Sequence, residues 1–332
     1  MGKEIHVQTG GKLYIAGEYA VLTPGQTAIL KNIPIFMTAT VKPADIILLQ
    51  SDMFDYRTDM TPDTNYALIQ ETICVLADYL NQTVSSLTPF SLSITGKMEE
   101  NGKKFGIGSS GSVTVLTLKA LSMFYDLHLS SDIIFMLASY TLIKRGDNGS
   151  MGDIACIAYD DLIAFTSFDR SRVSYWIETE TLHDVLEMDW RYSIDIIKSS
   201  LHCDFLVGWT KQPSISKDMI NLVKRGITTE FLEKTQTQVI HLKNALLKGD
   251  KTLLKSAVAN ISDYLKNLHP KIYNDKLLRL RHAAQGLDAV AKSSGSGGGD
   301  CGIALSFDSV STQKIIHRWK ESGIDLLVLE EL

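Results

Sequence analysis

The sequence predicts an α+β fold in two domains. Three observations predict it. The chain has 332 residues, and domains run to ~100–200 residues each. Strand-like alternation and helix-like periodicity follow one another along both halves. A polar, irregular stretch at 170–195 separates them, which divides the chain into 1–185 and 186–332.

Ile5, Val7 and Thr9 alternate, Gly10-Gly11 is a turn signal, and Leu13 and Ile15 resume the alternation, so the first ~50 residues read as strands. Ala28 to Val41 is β-rich and broken by Pro34. In Asn65 to Leu80 the apolar residues Leu68, Ile69, Ile73, Leu76 and Leu80 recur at helical spacing. Phe90 to Thr95 reads as a short strand, and Gly106 to Gly111 as a glycine-serine loop that opens directly onto a helix, Ser112 to Tyr125. Ile133 to Lys144 is a second helix, Gly146 to Gly152 a polar loop, and Ile154 to Phe168 a strand region. The second half opens with the strand Cys203 to Trp209. Helices are expected at about 216–225, 228–247, 250–267 and 272–291. A glycine-rich loop, Ser293 to Gly302, then precedes the strand Ile303 to Phe307, the helix 309–322 and the strand Ile324 to Leu329.

Composition narrows the function. Hydrophobic residues make up 45% and charged residues 21%, which excludes long disorder and collagen-like repeats. A net charge of −5 argues against a general nucleic-acid or membrane-surface binder. Cys74, Cys156, Cys203 and Cys301 lie far apart with no metal-site spacing, which suits a reducing cytoplasm. The start, Met1-Gly2-Lys3-Glu4-Ile5-His6, has no apolar signal core, and His6 replaces the hydroxyl that a myristoylation signal needs. No apolar run reaches membrane-spanning length. The eight histidines form no metal cluster.

Gly106-Ile107-Gly108-Ser109-Ser110-Gly111 spells G-x-G-x-x-G. It is not a dinucleotide fingerprint, because Asn101-Gly102-Lys103-Lys104-Phe105 before it is a charged loop rather than a strand. No Gly-Lys-Ser/Thr closes it as a P-loop, and no protein-kinase motif follows. A serine-capped turn would account for the same letters. The physical argument for a phosphate site is that a helix start offers free N–H groups and a partial positive charge. Ser109 and Ser110 add hydroxyls, and Lys103 and Lys104 add charge.

Three segments in order resemble the motifs of the GHMP small-molecule kinases. Gly11 to Tyr19 resembles their P-G-K-x-x-L-x-G-E-[HY] opening, with glycine where proline is common. Gly106 to Gly111 resembles their G-L-G-S-S-A loop, and Lys292 to Cys301 their K-x-[ST]-G-A-G-G-G-[GD]-C loop. Three further segments resemble the bacterial phosphomevalonate kinases within that superfamily: Asp300-Cys301-Gly302, Lys144 to Asp153, and Gly208 to Ser216. The resemblance implies an N-terminal domain with a left-handed β-α-β unit, a ferredoxin-like C-terminal domain, and a cleft between them. It implies ATP and phosphomevalonate as small-molecule partners, with Mg²⁺ as the cofactor that accompanies ATP.

The resemblance also implies roles. Lys12 stabilises the transferring phosphoryl group, and Asp153 matches the catalytic Asp. Lys104, Gly106, Ile107, Gly108, Ser109, Ser110, Gly111 and Ser112 hold ATP, with Ser110 as the metal's hydroxyl ligand. Lys12, Gly17, Tyr19, Ser150, Asp153 and Ser216 meet the acceptor. Ser216 also reads as a helix N-cap. The Mg²⁺-binding Glu of mevalonate kinases has no counterpart, since Thr141-Leu142-Ile143 stand in its place. That leaves ATP oxygens, water and Ser110, or Asp147, to hold the ion. A phosphate acceptor has a second pKa of about 6 and is largely anionic at neutral pH, so charge neutralisation matters more than a general base. Rival readings are a GHMP kinase with an alcohol acceptor, such as mevalonate kinase, a catalytically silent sensor on the same fold, and an NAD-dependent oxidoreductase.

Overall fold

The computed structural model describes residues 4–96, 98–214 and 216–332. The leader and lipidation readings on residues 1–3, and Ile215 within the segment 208–216, fall outside the described residues.

The first half runs β1 (Ile5–Ala16), a 3₁₀ turn (Ala20–Leu22), β2 (Thr27–Pro43), β3 (Leu48–Ser51), β4 (Arg57–Thr58), α1 (Ala67–Tyr79), β5 (Phe90–Thr95), β6 (Glu99–Glu100) and β7 (Lys103–Lys104). Then come α2 (Ser109–Phe124), α3 (Ser131–Lys144), α4 (Gly152–Tyr159), β8 (Leu162–Thr166), α5 (Arg170–Thr179), α6 (Leu182–Glu187) and β9 (Ser193–Ile196). The main sheet has the order β4-β3-β5-β2-β8-β9, with β1 also paired to β2. β3 and β5 are parallel and joined through α1, which is the β-α-β unit. Helix α2 lies against β1 and β2 and between α1, α3 and α4. That central position explains why residues on every side of it, among them Val115, Leu116, Leu118 and Leu121, are buried.

The second half runs β10 (Asp204–Trp209), α7 (Ser216–Val223), α8 (Thr229–Lys248), α9 (Lys251–Leu268), α10 (Asp275–His282), β11 (Ala289–Ser293), β12 (Cys301–Ser306), α11 (Ser309–Glu321) and β13 (Asp325–Glu331). Its sheet has the order β11-β12-β10-β13, all antiparallel. A β-α-β-β-α-β chain in that order is the expected ferredoxin-like arrangement. Gly208 on β10 is pressed between Leu280 and Trp319, and the fully buried Trp319 indole donates to the Leu280 carbonyl at 3.1 Å.

Four expectations need correction. Gly10-Gly11 is not a turn: β1 runs through it, and the pairing with β2 merely shifts register between Thr9 and Gly11. Ile154 to Tyr159 is helix rather than strand. A short apolar run has no decisive period, and α4 is buried against α2, α3 and the sheet. The stretch 170–195 is not irregular. Asp169 caps α5 by accepting from Ser171 and Arg172 N–H, and Thr181 caps α6 by accepting from Asp184 N–H. The strand β9 in this stretch lies on the first sheet, although the division at 185/186 puts those residues with the second half. Finally, the expected helix 272–291 stops at His282. Gly286 turns the chain at φ +73°, and Ala289 to Ser293 pair with β12. The second glycine loop therefore joins two strands of one hairpin.

Candidate active site

Lys12 sits on β1, whose alternation sends Leu13 and Ile15 into the core and Lys12 and Tyr14 to the other face. Its backbone N–H donates to the Ile107 carbonyl at 2.9 Å, which fastens the first glycine loop to β1. The Lys12 side chain is only 8% exposed and lies 5.4 Å from the Tyr14 ring centre. Among the described residues it has no ion-pair partner, so a buried ammonium is left for a ligand. Gly108 (φ +92°) lies directly over it, and a Cβ there would stand 3.0 Å from Lys12 Cε.

Asp153 is the second residue of α4, where the helix N-terminus favours a carboxylate. Burial raises its pKa. Lys12 and the Ile154 N–H pull it back down, and Asp147 pushes it further up. The two groups expected to carry the chemistry thus share one electrostatic environment.

Two cavities meet there. The larger, about 660 Å³, is lined by Lys104, Gly106, Gly108 to Gly111, Arg145, Asp147 and Lys217, among others. Its size suits a nucleotide. The smaller, about 120 Å³, is lined by Tyr14, Glu18, Tyr19, Ser150 and Ser294 to Ser296. Both are bounded by Lys12, Gly106, Gly149, Asp153, Ser216, Ile220 and Asp300.

The smaller cavity has a hydrogen-bonded wall. Ser150 Oγ lies 3.0 Å from Tyr14 Oη and accepts from Gly152 N–H at 3.2 Å. Burial keeps both Tyr14 and Tyr19 protonated. Tyr19 has φ +62° and donates to the Ser296 carbonyl at 2.5 Å, across the two halves. Ser216, the first residue of α7, donates to Ser296 Oγ at 3.4 Å. Behind this wall Glu18 and Lys292 form an ion pair with side chains 2% and 0% exposed. Cys301 Sγ donates to the Phe105 carbonyl at 3.1 Å, and Phe105 meets Trp209 edge to face, so the second half also grips the entry to the first glycine loop.

Lys12, Lys104, Gly106, Gly108, Ser109, Ser110, Gly111, Tyr19, Ser150, Asp153 and Ser216 therefore line one or both cavities. Three expected residues do not. Ser112 is fully buried and its hydroxyl donates to the Gly10 carbonyl at 3.2 Å. Ile107 packs its side chain under Gly11. Gly17 (φ +89°) is pressed against the Thr27 carbonyl and Ala28, so it shapes the turn that presents Glu18 and Tyr19. The position before α7, where an N-cap would stand, is residue 215 and lies outside the described residues. Sequence reasoning gave no role to Asp300, Tyr14 or the Glu18–Lys292 pair. The last had one available signal, since charged residues inside two otherwise apolar or glycine-rich motifs need a partner.

The family description "GHMP kinases N terminal domain" matches residues 67–161, and "GHMP kinases C terminal" matches residues 242–325. A phosphomevalonate kinase of Streptomyces sp. (strain CL190) is 33% identical over 95% of this chain and 93% of its own. This chain belongs to the GHMP kinase family. The structure of Streptococcus pneumoniae phosphomevalonate kinase in complex with phosphomevalonate and AMPPNP is 50% identical to this GHMP kinase. It superposes with a TM-score of 0.96 over 99% of this chain and 100% of that one. A mevalonate kinase of Methanocaldococcus jannaschii is 28% identical over 47% of this chain and 52% of its own. Among the described residues, no helix of this GHMP kinase is long and apolar enough to cross a membrane.

Proposed function

We propose that this GHMP kinase transfers the γ-phosphoryl group of ATP to the phosphate of (R)-5-phosphomevalonate, giving 5-diphosphomevalonate and ADP. One observation carries the proposal: half of the aligned residues, over 99% of the chain, are identical to those of an enzyme solved with phosphomevalonate and an ATP analogue. The free thiols Cys74, Cys156, Cys203 and Cys301 support a cytoplasmic setting.

ATP occupies the larger cavity, with its phosphates over Gly106 to Gly111. The N–H groups of the first turn of α2 have no partner within the helix and face the phosphates. Lys104 adds charge from β7. Phosphomevalonate occupies the smaller cavity, between Tyr19, Ser150 and Ser216. An anionic acceptor oxygen attacks the γ-phosphorus. The new O–P bond forms as the bond to the β,γ-bridging oxygen breaks, and that electron pair leaves on ADP. Lys12, at the meeting point of the two cavities, neutralises the oxygens of the group in flight. A unit charge pair at 4 Å is worth roughly 4 kcal/mol at intermediate dielectric. Asp153 orients Lys12 and needs no proton from an acceptor that is already ionised.

Mg²⁺ fits the donors on hand. Ser110 supplies a hydroxyl and Asp147 a carboxylate in the same cleft, and Mg²⁺ takes oxygen donors while keeping phosphate and water ligands. Among the described residues, no group of three or more His, Cys, Asp or Glu would hold an ion unaided, which suits an ion that arrives with ATP. Bound there, it supplies positive charge to the β- and γ-phosphates.

The test is ADP release with phosphomevalonate, mevalonate, homoserine and galactose as separate acceptors. Phosphomevalonate is expected to exceed the others by at least ~10²-fold in kcat/KM. Equal turnover of an alcohol acceptor, or no turnover of any, overturns the proposal.

A further inference from the structure

Asp300 stands at the seam of the two cavities on a backbone that holds it there. Its N–H donates to the Gln212 carbonyl at 2.6 Å, and its carbonyl accepts from Thr210 N–H at 2.8 Å and Thr210 Oγ1 at 2.9 Å. Its φ of +50° is unusual for a non-glycine residue. The side chain, on a residue 9% exposed, borders both cavities. Oδ1 accepts from Ser214 N–H at 3.2 Å, and among the described residues Oδ2 has no partner. On the facing half, Gly106 is shaped to this carboxyl: a Cβ at Gly106 would run into its Oδ2, Cγ and Cβ. The first glycine of the loop therefore makes room for an acid from the other domain, at the place where two polyanions must meet.

An ionised carboxylate there would repel both substrates. We propose that Asp300 is a further residue of the reacting centre: with nucleotide and acceptor bound it holds a proton, and its carboxyl donates a hydrogen bond to a phosphoryl oxygen at the seam. This rests on the phosphomevalonate kinase reading above. Lys12 on β1 and Cys301 beside it act on Asp300 directly, and Lys104 on β7, Arg145, Asp147, Asp153 on α4 and Lys217 on α7 line the larger cavity that it borders. Without ligands, burial pushes the carboxyl up to about 6, against the opposing pull of the Ser214 N–H and Lys12. Two bound polyanions raise it further, so a proton is taken up at neutral pH. The proton stays on Asp300 and acts as a preorganised donor to developing charge.

The experiment is calorimetric titration at pH 7, in two buffers of different ionisation enthalpy, first of Mg²⁺ with a non-hydrolysable ATP analogue into the free protein and then of phosphomevalonate into that complex, the protons taken up being summed over both steps. The wild-type chain is expected to take up about one proton more than Asp300→Asn. If D300N does not fold, D300A replaces it in the same count. In turnover, D300N is expected to exceed D300A by about tenfold in kcat/KM, because only the amide keeps a donor at that place. Equal proton counts in wild type and variant, or equal kcat/KM for the two variants, overturn the role of Asp300. Absence of any heat from phosphomevalonate overturns the substrate reading instead, and this proposal with it.

Discussion

Replacing Lys292 with Met tests what joins the two halves. Its ammonium pairs with Glu18 and donates to the Ser293 carbonyl at 2.6 Å. Glu18 Oε2 is buried without a hydrogen-bond partner, so the carboxylate depends on Lys292. Methionine keeps most of the volume and strands that carboxylate. Removing one member of a buried pair costs about 3–5 kcal/mol. A chain of 332 residues has an unfolding entropy of roughly 0.7 kcal/mol per degree, so the melting point should fall by about 4–7 °C if both halves unfold together. Urea midpoints and calorimetric scans measure the loss. Adding Glu18→Gln to K292M removes the stranded charge and should restore at least ~2 kcal/mol. Because Glu18 immediately precedes Tyr19, K292M should raise the acceptor KM more than the ATP KM. A loss below ~1 kcal/mol, or a double variant as unstable as the sum of the singles, would show that the pair does not carry the interface.

Other outcomes follow from the same geometry. Asp153→Asn should lower kcat by at least ~10²-fold while both KM values change by only a few-fold, since the group acts on the reacting atoms through Lys12; steady-state kinetics with either substrate varied decides it, and a kcat near wild type removes Asp153 from the chemistry. Gly106→Ala forces a side chain into φ +76° and against Asp300; a cost of ~1–2 kcal/mol from the backbone alone and a raised ATP KM are expected, and adding D300A should return part of both. Asp300 also makes stability depend on pH. Its folded-state value of about 6 lies above the ordinary 3.8, so its stabilising effect is complete below pH ~4 and is lost as pH rises through 6. In urea titrations without ligands, D300N should therefore exceed wild type by up to about 3 kcal/mol at pH 8 and by nothing near pH 4. A difference that does not change with pH would contradict this.

The three glycine- and charge-marked segments are legible in the sequence because each is contiguous, and the structure puts all of them on one cleft. The main strands and the helices with strong periods or caps are legible for similar local reasons, as at Ser130, whose side chain accepts from Ile133 N–H to start α3. What is not legible is set by distant neighbours. Ile154 to Tyr159 becomes a helix because two helices, α2 and α3, and a sheet surround it, which its own letters do not encode. Ala289 to Ser293 becomes a strand because β12 offers it partners. Gly106 reads as room for phosphate, whereas it also admits a carboxyl 194 positions further along the chain. Ser112 looks like one more hydroxyl of the loop, yet the turn of α2 carries it under β1.

The shift in pairing at Gly10-Gly11 has a consequence for how this enzyme can fail. Side chains on a strand alternate, and the two extra residues at this shift lie on β2, between Ile33 and Met37, so β1 carries its alternation unbroken from Thr9 through the glycines to Lys12 and Tyr14. An in-frame deletion of either glycine would turn both toward the packed interior and bring Leu13 out to the cleft. An ammonium turned into an apolar interior costs several kcal/mol, so such a chain would lose its stability together with its chemistry, and one strand's alternation answers for both.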